Sequence, residues 1–334
     1  MRIGFYGFGS IARLAARIAL KRGYEIVGAV DIDPNLVGRD IGEVLGLGER
    51  LGVEVSRDPV EALGDADVVI HATGSFLDRV FPQIATVLDM GIDVVSTCET
   101  LAYPYYRYPV LARKLDEKAR SRNVAVIGTG VNPGFILDTL PIILSTSVPT
   151  VKRIRAIRVL DAAKRRESFR KKVGIGGDPR EVEEKLRRGE LTGHVGYAES
   201  ALLIADAAGI PVSKVVEEQH VVVAEHDVES HGIKIEKGRV LGVEGWAKLY
   251  SGDEEVVTVV LRAVVGEEDR DEIEIEGEEF SVKWRSSGTH GDYATASIVL
   301  SIAEVITSCR PGLLTMVDII PFKPFFSRTL PEAR

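Results

Sequence analysis

The stretch "RIGFYGFGSIARLAARIALKRG" at residues 2–23 constrains this chain more than any other. A short apolar run leads into Gly7-x-Gly9-x-x-Ala12 and then directly into a helical pattern. In that setting Gly7 permits a tight turn, Gly9 lets the backbone approach a pyrophosphate, and Ala12 lets the helix pack close to the strand. Ser10 and Ile11 open the helix, whose free N–H groups and partial positive charge would face the phosphates. Asp31 closes the next apolar run. An acid there hydrogen-bonds a ribose 2′-hydroxyl and repels a 2′-phosphate. The expected cofactor is NAD, with NADP as the alternative. Asp31 also has a second reading, as the builder of a turn with Asp33-Pro34.

The rest of the first 146 residues fits that opening. Strands are expected at 2–6, 25–31, 53–55, 67–72, 93–97 and 123–128, and helices near 10–22, 59–63, 78–90, 104–121 and 135–146. Strands alternating with helices imply βαβ units, hence a Rossmann-type, doubly wound parallel sheet. "DVVI" and "VAVI" are continuous apolar runs, as strands buried on both faces require. From residue 147 the pattern changes. Residues 152–162, 214–225, 239–249, 254–265 and 271–285 read as an open mixed, largely antiparallel sheet with one wet face, interrupted by helices at 179–188 and 197–208. The chain is therefore expected to be α/β with a second α+β domain at 147–291, serving substrate binding or dimerisation. A late helix at 292–312, closed by Pro311-Gly312, is expected to bring residues 292–334 back onto the first domain.

Composition excludes several classes of function. A net charge of −8 argues against a nucleic-acid or anionic-membrane partner. No run of about 18 apolar residues exists to span a membrane, and the opening strand leaves no room for a signal peptide. Two cysteines, Cys98 and Cys309, lack disulfide or metal spacing and suit a reducing cytosol. His226 and His231 are poorly spaced for a metal.

Three further segments are expected at the carboxyl edge of the parallel sheet, where a dinucleotide lies. "HATGS" (71–75) offers Thr73 and Gly74 as backbone contacts to the cofactor, or as an ordinary strand-to-helix turn. "GTGVNPGF" (128–135) offers Asn132, either as a partner for a nicotinamide carboxamide or substrate, or as a helix cap ahead of Pro133. "STCET" (96–100) offers Glu99. A carboxylate beside a nicotinamide suits an amine substrate: it can take a proton from the ammonium form and balance the cation that develops as hydride leaves. The competing reading places Glu99 in the first turn of the next helix. "STCET" also resembles the cysteine turn of acylating semialdehyde dehydrogenases, with Cys98 as nucleophile. A small buried cysteine is the commoner outcome.

Taken together, "GFGSIA", "STCETLAYPYY", "IGTGVNPGFILDTLP", "DAAKRRESFRKKVGIG", "GHVGYAESALLIADAAG" and "THGDYATASIVL…PGLLTMVDIIP" resemble the 2,4-diaminopentanoate dehydrogenase and native amine dehydrogenase group, a branch of the dihydrodipicolinate-reductase-like proteins. The resemblance spans nearly the whole chain in order. It implies NAD(P) as hydride carrier, a homodimer with the active site between domains, and reversible deamination of an amine to a ketone plus ammonia. It matches Glu99 to the family's catalytic glutamate and Asn132 to the asparagine beside the nicotinamide. The His-His-x-x-x-Lys run and Ser-Gly-Thr-Ala loop of dihydrodipicolinate reductases proper are missing from the corresponding "LDAAKRRESFRKKVGIGG". The rival activities are reduction of a cyclic imine or enamine acid, and dinucleotide binding by a regulator without turnover. In the second half, one of Lys164, Arg165, Arg166 or Lys171 could hold a substrate carboxylate, or all could form a solvated loop. His194 and His290, each in a glycine-flanked turn, could line the pocket or cap helices. Tyr105, with Tyr103, Tyr106 and Tyr108, could wall it or pack elsewhere.

Overall fold

The structure is a computed structural model and describes residues 1–321. The chain divides into two compact units. The first is Met1–Phe135 with His290–Ile319, and the second contains Ile136–Thr289.

In the first unit the chain runs β1 (Arg2–Tyr6), α1 (Ser10–Lys21), β2 (Glu25–Val30), α2 (Ile41–Leu45), β3 (Val55–Ser56), α3 (Pro59–Leu63), β4 (Val68–His71), α4 (Leu77–Asp89), β5 (Asp93–Ser96), α5 (Pro104–Arg107), α6 (Pro109–Arg122) and β6 (Ala125–Gly128). A late helix, Gly291–Ile306, and a short strand, Gly312–Leu314, complete it. The seven strands form one parallel sheet, ordered from the late strand through β6, β5, β4, β1, β2 to β3. The continuous apolar runs are explained by two cores. Val68, Ile70, Val95 and Ile127 pack on one face with the α1 stripe Ala12, Ala15, Ala16, Ala19 and with Val299 and Ala303 of the late helix. Val69, Val94 and Val126 point to the other face, under Leu63, Val80, Ile84, Leu88 and Leu115. A strand buried on both sides has no polar alternation to show.

The order of winding reverses between β1 and β4. The carboxyl edge at such a reversal is the usual place for a ligand in sheets of this kind.

Several elements differ from expectation. The stretch at 104–121 is two helices, because Pro109 has no N–H to continue α5 and drives Tyr108 out of helical geometry (φ −132, ψ 53). The late helix stops at Ile306, and the Gly312–Leu314 segment beyond Pro311 joins the sheet beside β6. The part of the expectation that concerns residues 322–334 lies outside the described residues.

The second unit holds α7 (Thr139–Ser145), β7 (Val151–Asp161), α8 (Glu167–Lys172), α9 (Pro179–Arg187), α10 (Tyr197–Ala208), β8 (Lys214–Val223), the hairpin β9 (Val228–Ser230) and β10 (Ile233–Ile235), then β11 (Val240–Ser251), β12 (Glu254–Val264), β13 (Arg270–Gly277) and β14 (Val282–Ser286). The division between the units falls before α7, ahead of the boundary expected at residue 146. Helix α7 packs on α10, and Ser200 of α10 donates to its capping Asp138 (2.7 Å). The main sheet has the order β14-β13-β7-β12-β11-β8, with only β7 and β12 parallel. Helix α10, buried almost all round, covers β11 and β12 and ends at Gly209 in the left-handed region, the stop signal its sequence advertised. On β13, Ile273 and Ile275 point inward. Glu272 and Glu274 point outward towards Arg285 and Lys283, giving the one wet face expected of the antiparallel stretches.

Among the described residues no helix is long and apolar enough to cross a membrane.

Candidate active site at the carboxyl edge of the parallel sheet

The last residues of four neighbouring strands form a row across the sheet: Tyr6, His71, Ser96 and Gly128. Because the strands are parallel, the segments that follow them leave from the same edge. These are the Gly7–Gly9 loop, Thr73–Gly74, Glu99 and Asn132, so the fold gathers there the residues that sequence reasoning singled out.

Gly7 has φ +85, a conformation that L side chains rarely adopt. A Cβ there would also lie 2.6 Å from Thr73 Cγ2 and 2.8 Å from the Ala72 carbonyl oxygen, so the β1 and β4 loops touch at this point. A Cβ on Gly9 would meet nothing within 4 Å, which leaves the backbone before α1 open to a ligand. Ser10 is exposed and Ile11 half-buried at the first turn of α1, where N–H groups lack intrahelical partners. Asp31 accepts the Phe8 N–H (2.7 Å) on one oxygen and the Asp33 N–H (2.9 Å) on the other. It therefore builds its own turn and braces the glycine loop. Each oxygen keeps a further lone pair for a hydroxyl. Ile32, next to it, is 84% exposed.

Glu99 opens a single 3-10 turn, Glu99–Leu101, while the regular helix α5 begins only at Pro104. Its neighbours Cys98, Thr100 and Leu101 are buried and Glu99 is half-buried. The Cys98 thiol is pushed up to about 12, chiefly by burial and then by the Glu99 charge. A thiol so far from its thiolate is a poor nucleophile, which removes the acylating-dehydrogenase reading. Asn132 is half-buried, and its buried Oδ1 has no hydrogen-bond partner. No helix starts at Pro133, since α7 begins at Thr139 with Asp138 as its cap. The capping alternative for Asn132 therefore falls. The neighbouring Val131 N–H donates to Thr295 of the late helix (3.3 Å). His290 caps that helix, its Nδ1 accepting the Tyr293 N–H at 3.4 Å, and is exposed.

Sequence reasoning missed the polar row beneath these loops. His71 is fully buried, with Nδ1 2.8 Å from Ser96 Oγ and Nε2 2.9 Å from Gln83 Oε1. An amide oxygen only accepts, so Nε2 carries the proton and Nδ1 accepts from the Ser96 hydroxyl. Ser96 Oγ in turn accepts the Cys98 N–H (3.1 Å). Burial pushes His71 down to about 4, so the ring is neutral. Thr73 Oγ1 joins the network at Gln83 (2.5 Å). A histidine ending an apolar strand was the available signal. The register that sets it beside Ser96 was not visible in the sequence.

The second unit carries the remaining candidates. Lys164 is paired with Asp269 (2.8 Å), and Arg166 Nε donates to Ser168 (3.0 Å). The His194 backbone N–H donates to Gln219 (2.7 Å), and its ring meets Tyr197 edge-on at 4.8 Å. Burial first, then the charges of Lys172, Arg158 and Arg165, push His194 down to about 3. In the first unit, Tyr105 is 45% exposed and packs edge-on against Tyr103.

Comparison with known proteins adds the following. The family model described as 2,4-diaminopentanoate dehydrogenase C-terminal domain matches residues 135–327. The model described as dihydrodipicolinate reductase, N-terminus, matches residues 1–97. A 2,4-diaminopentanoate dehydrogenase of Acetoanaerobium sticklandii is 30% identical over 96% of this chain and 92% of its own. An amine dehydrogenase of Streptomyces virginiae is 31% identical over 51% of this chain and 49% of its own. The solved structure of an amine dehydrogenase from Mycobacterium smegmatis has the same fold, with a TM-score of 0.86 at 24% identity over 98% of both chains.

Proposed function

Because the chain belongs to the 2,4-diaminopentanoate dehydrogenase family, we propose that it oxidatively deaminates 2,4-diaminopentanoate or a related small amine, with NAD as hydride acceptor and Glu99 as the catalytic carboxylate. The observation that carries this reading is the half-buried Glu99 on the turn leaving β5, at the same sheet edge as the glycine loop. The residues fit the cofactor. The open backbone at Gly9 and the first turn of α1 suit a pyrophosphate, and the unpartnered Asn132 Oδ1 suits the N–H donors of a carboxamide. Thr73 and Gly74 would border the dinucleotide, and Asp31 would accept from a ribose hydroxyl with Ile32 as apolar flank. Asp31 also underlies the preference for NAD over NADP, since a carboxylate repels a 2′-phosphate.

A bound nicotinamide supplies the two-electron acceptor. The chain supplies the charge management. An amine can release hydride only once its ammonium proton has gone; Glu99 accepts that proton and passes it on to water, so that it is ionised again when hydride leaves. As hydride leaves, the C–N bond becomes an iminium. A carboxylate about 4 Å away at an effective dielectric near 20 stabilises that cation by about 4 kcal/mol. Water then adds to the iminium carbon and ammonia departs, leaving the ketone. The net change is amine plus oxidised cofactor plus water to ketone, ammonia, reduced cofactor and one proton. The homodimer belongs to the same reading and predicts twice the chain mass in sedimentation equilibrium.

Glu99→Gln tests the assignment. Turnover should fall on the order of 100- to 10,000-fold, as for loss of a general base, while NADH still binds. Near wild-type deamination by this variant overturns it. NADH oxidation by 2-amino-4-oxopentanoate that depends on ammonia separates this reaction from reduction of a preformed cyclic imine.

A further inference from the structure

Glu99 stands on a turn tied down on three sides. On one side the Cys98 N–H is held by Ser96 Oγ at 3.1 Å. On the other, the Thr100 N–H donates to the Ser75 carbonyl at 3.1 Å. The Thr100 hydroxyl donates to the same carbonyl at 3.2 Å and accepts the Leu77 N–H, the first of α4, at 2.9 Å. Below, Gly128 leaves the space in which Leu101 and Ala102 sit. A Cβ at Gly128 would lie 2.6 Å from Ala102 N and closer still to the Leu101 carbonyl carbon. The Ala102 N–H closes the turn on the Glu99 carbonyl at 3.2 Å. Thr100 is fully buried, so it acts only through what it holds.

We propose that Thr100 is a positioning residue for Glu99: its hydroxyl locks the Glu99 turn to the Ser75–Leu77 backbone, so that the carboxylate and the Thr73–Ser75 loop form one rigid body, with Gly128 as the seat of that turn. This rests on the reading of Glu99 as the catalytic carboxylate. The physical reason is the steepness of proton and hydride transfer with distance. Without the hydroxyl, the buried Leu77 N–H at the start of α4 has no acceptor in this arrangement. The turn then keeps a single backbone bond to the β4 loop, and the carboxylate samples positions away from the substrate nitrogen.

The test compares Thr100→Val, Thr100→Ser and Gly128→Ala, each alone, with Thr100→Val also placed in a Glu99→Gln background. The measurements are kcat, KM for the amine and NADH affinity by fluorescence titration. Thr100→Val should lower kcat about 10- to 100-fold, the usual effect of a misplacement near 1 Å, with NADH affinity within about twofold. Thr100→Ser, which keeps the hydroxyl, should return kcat to within about threefold of wild type. In the Glu99→Gln background the same Thr100→Val change should alter residual turnover by less than about twofold, because groups acting as a unit are not additive. Gly128→Ala pushes the turn from below and should reproduce the kcat loss, which keeps the test decisive if Thr100→Val fails to fold. The proposal is overturned if folded Thr100→Val and Gly128→Ala both keep kcat within about twofold while Glu99→Gln is inactive. An equal cost of Thr100→Val in both backgrounds also overturns it. High activity in Glu99→Gln itself brings down the underlying reading instead, independently of Thr100.

Discussion

Acid should destabilise the first unit through one buried histidine, and the size of the effect can be worked out from its surroundings. His71 is fully buried, neutral and bonded at both ring nitrogens, and its pKa falls from 6.5 to about 4 chiefly through burial, opposed by the Gln83 hydrogen bond. The folded value lies below the unfolded one, so between the two it is the unfolded chain that binds the extra proton. Stability from the neutral ring is therefore complete above pH 6.5 and drains away as the pH falls towards 4. At about 1.36 kcal/mol per pH unit the full effect is about 3.4 kcal/mol, of which about 2 kcal/mol is gone by pH 5. The perturbation is His71→Asn, which keeps an acceptor for the Ser96 hydroxyl and does not titrate. At pH 7.5 the variant should be less stable by about 1–3 kcal/mol, for lost volume and the stranded Gln83. Between pH 7.5 and 5 that gap should shrink by about 2 kcal/mol. His194 and the carboxylates contribute equally to both proteins and cancel. Both tryptophans, Trp246 and Trp284, lie in the second unit. Urea unfolding is therefore best followed by far-ultraviolet circular dichroism, with hydrogen exchange of the β4 amides to localise the effect. Parallel loss of stability by the two proteins across this range would refute the reasoning.

Two further outcomes follow from the site. On the proposed reading, Asp31→Ser removes the carboxylate that would repel a 2′-phosphate. The ratio of kcat/KM for NADP over NAD should rise about tenfold or more, equivalent to about 1.4 kcal/mol, and an unchanged ratio would leave Asp31 as a turn residue only. Cys98→Ala should keep kcat within about threefold, since a thiol held near 12 is not a working nucleophile, whereas abolition of turnover in a folded variant would restore the covalent alternative.

Much of the first unit was legible because its signals are local. Gly7-x-Gly9-x-x-Ala12 announces a turn at whose Gly7, with φ +85, other residues are disfavoured, and the doubly buried strands β4 and β6 announce themselves as unbroken apolar runs. Elements too short to carry a period were not legible. Helix α2, the Gly312–Leu314 strand and the β9–β10 hairpin have three to five residues each. The single stretch read at 271–285 is in fact β13 and β14, whose reversal lacks the Asn-Gly or Asp-Gly pair that marks a tight hairpin.

The sequence by itself determined the glycine loop, the parallel sheet and the presence of an acid, Glu99, just beyond a buried strand, because each depends on residues adjacent in the chain. Only the tertiary structure decided which groups hold that acid in place. Thr100 meets Ser75 and Leu77, Ser96 meets His71, and Gly128 lies under Leu101 through strand register, which pairs residues far apart in sequence and leaves no mark in any one segment.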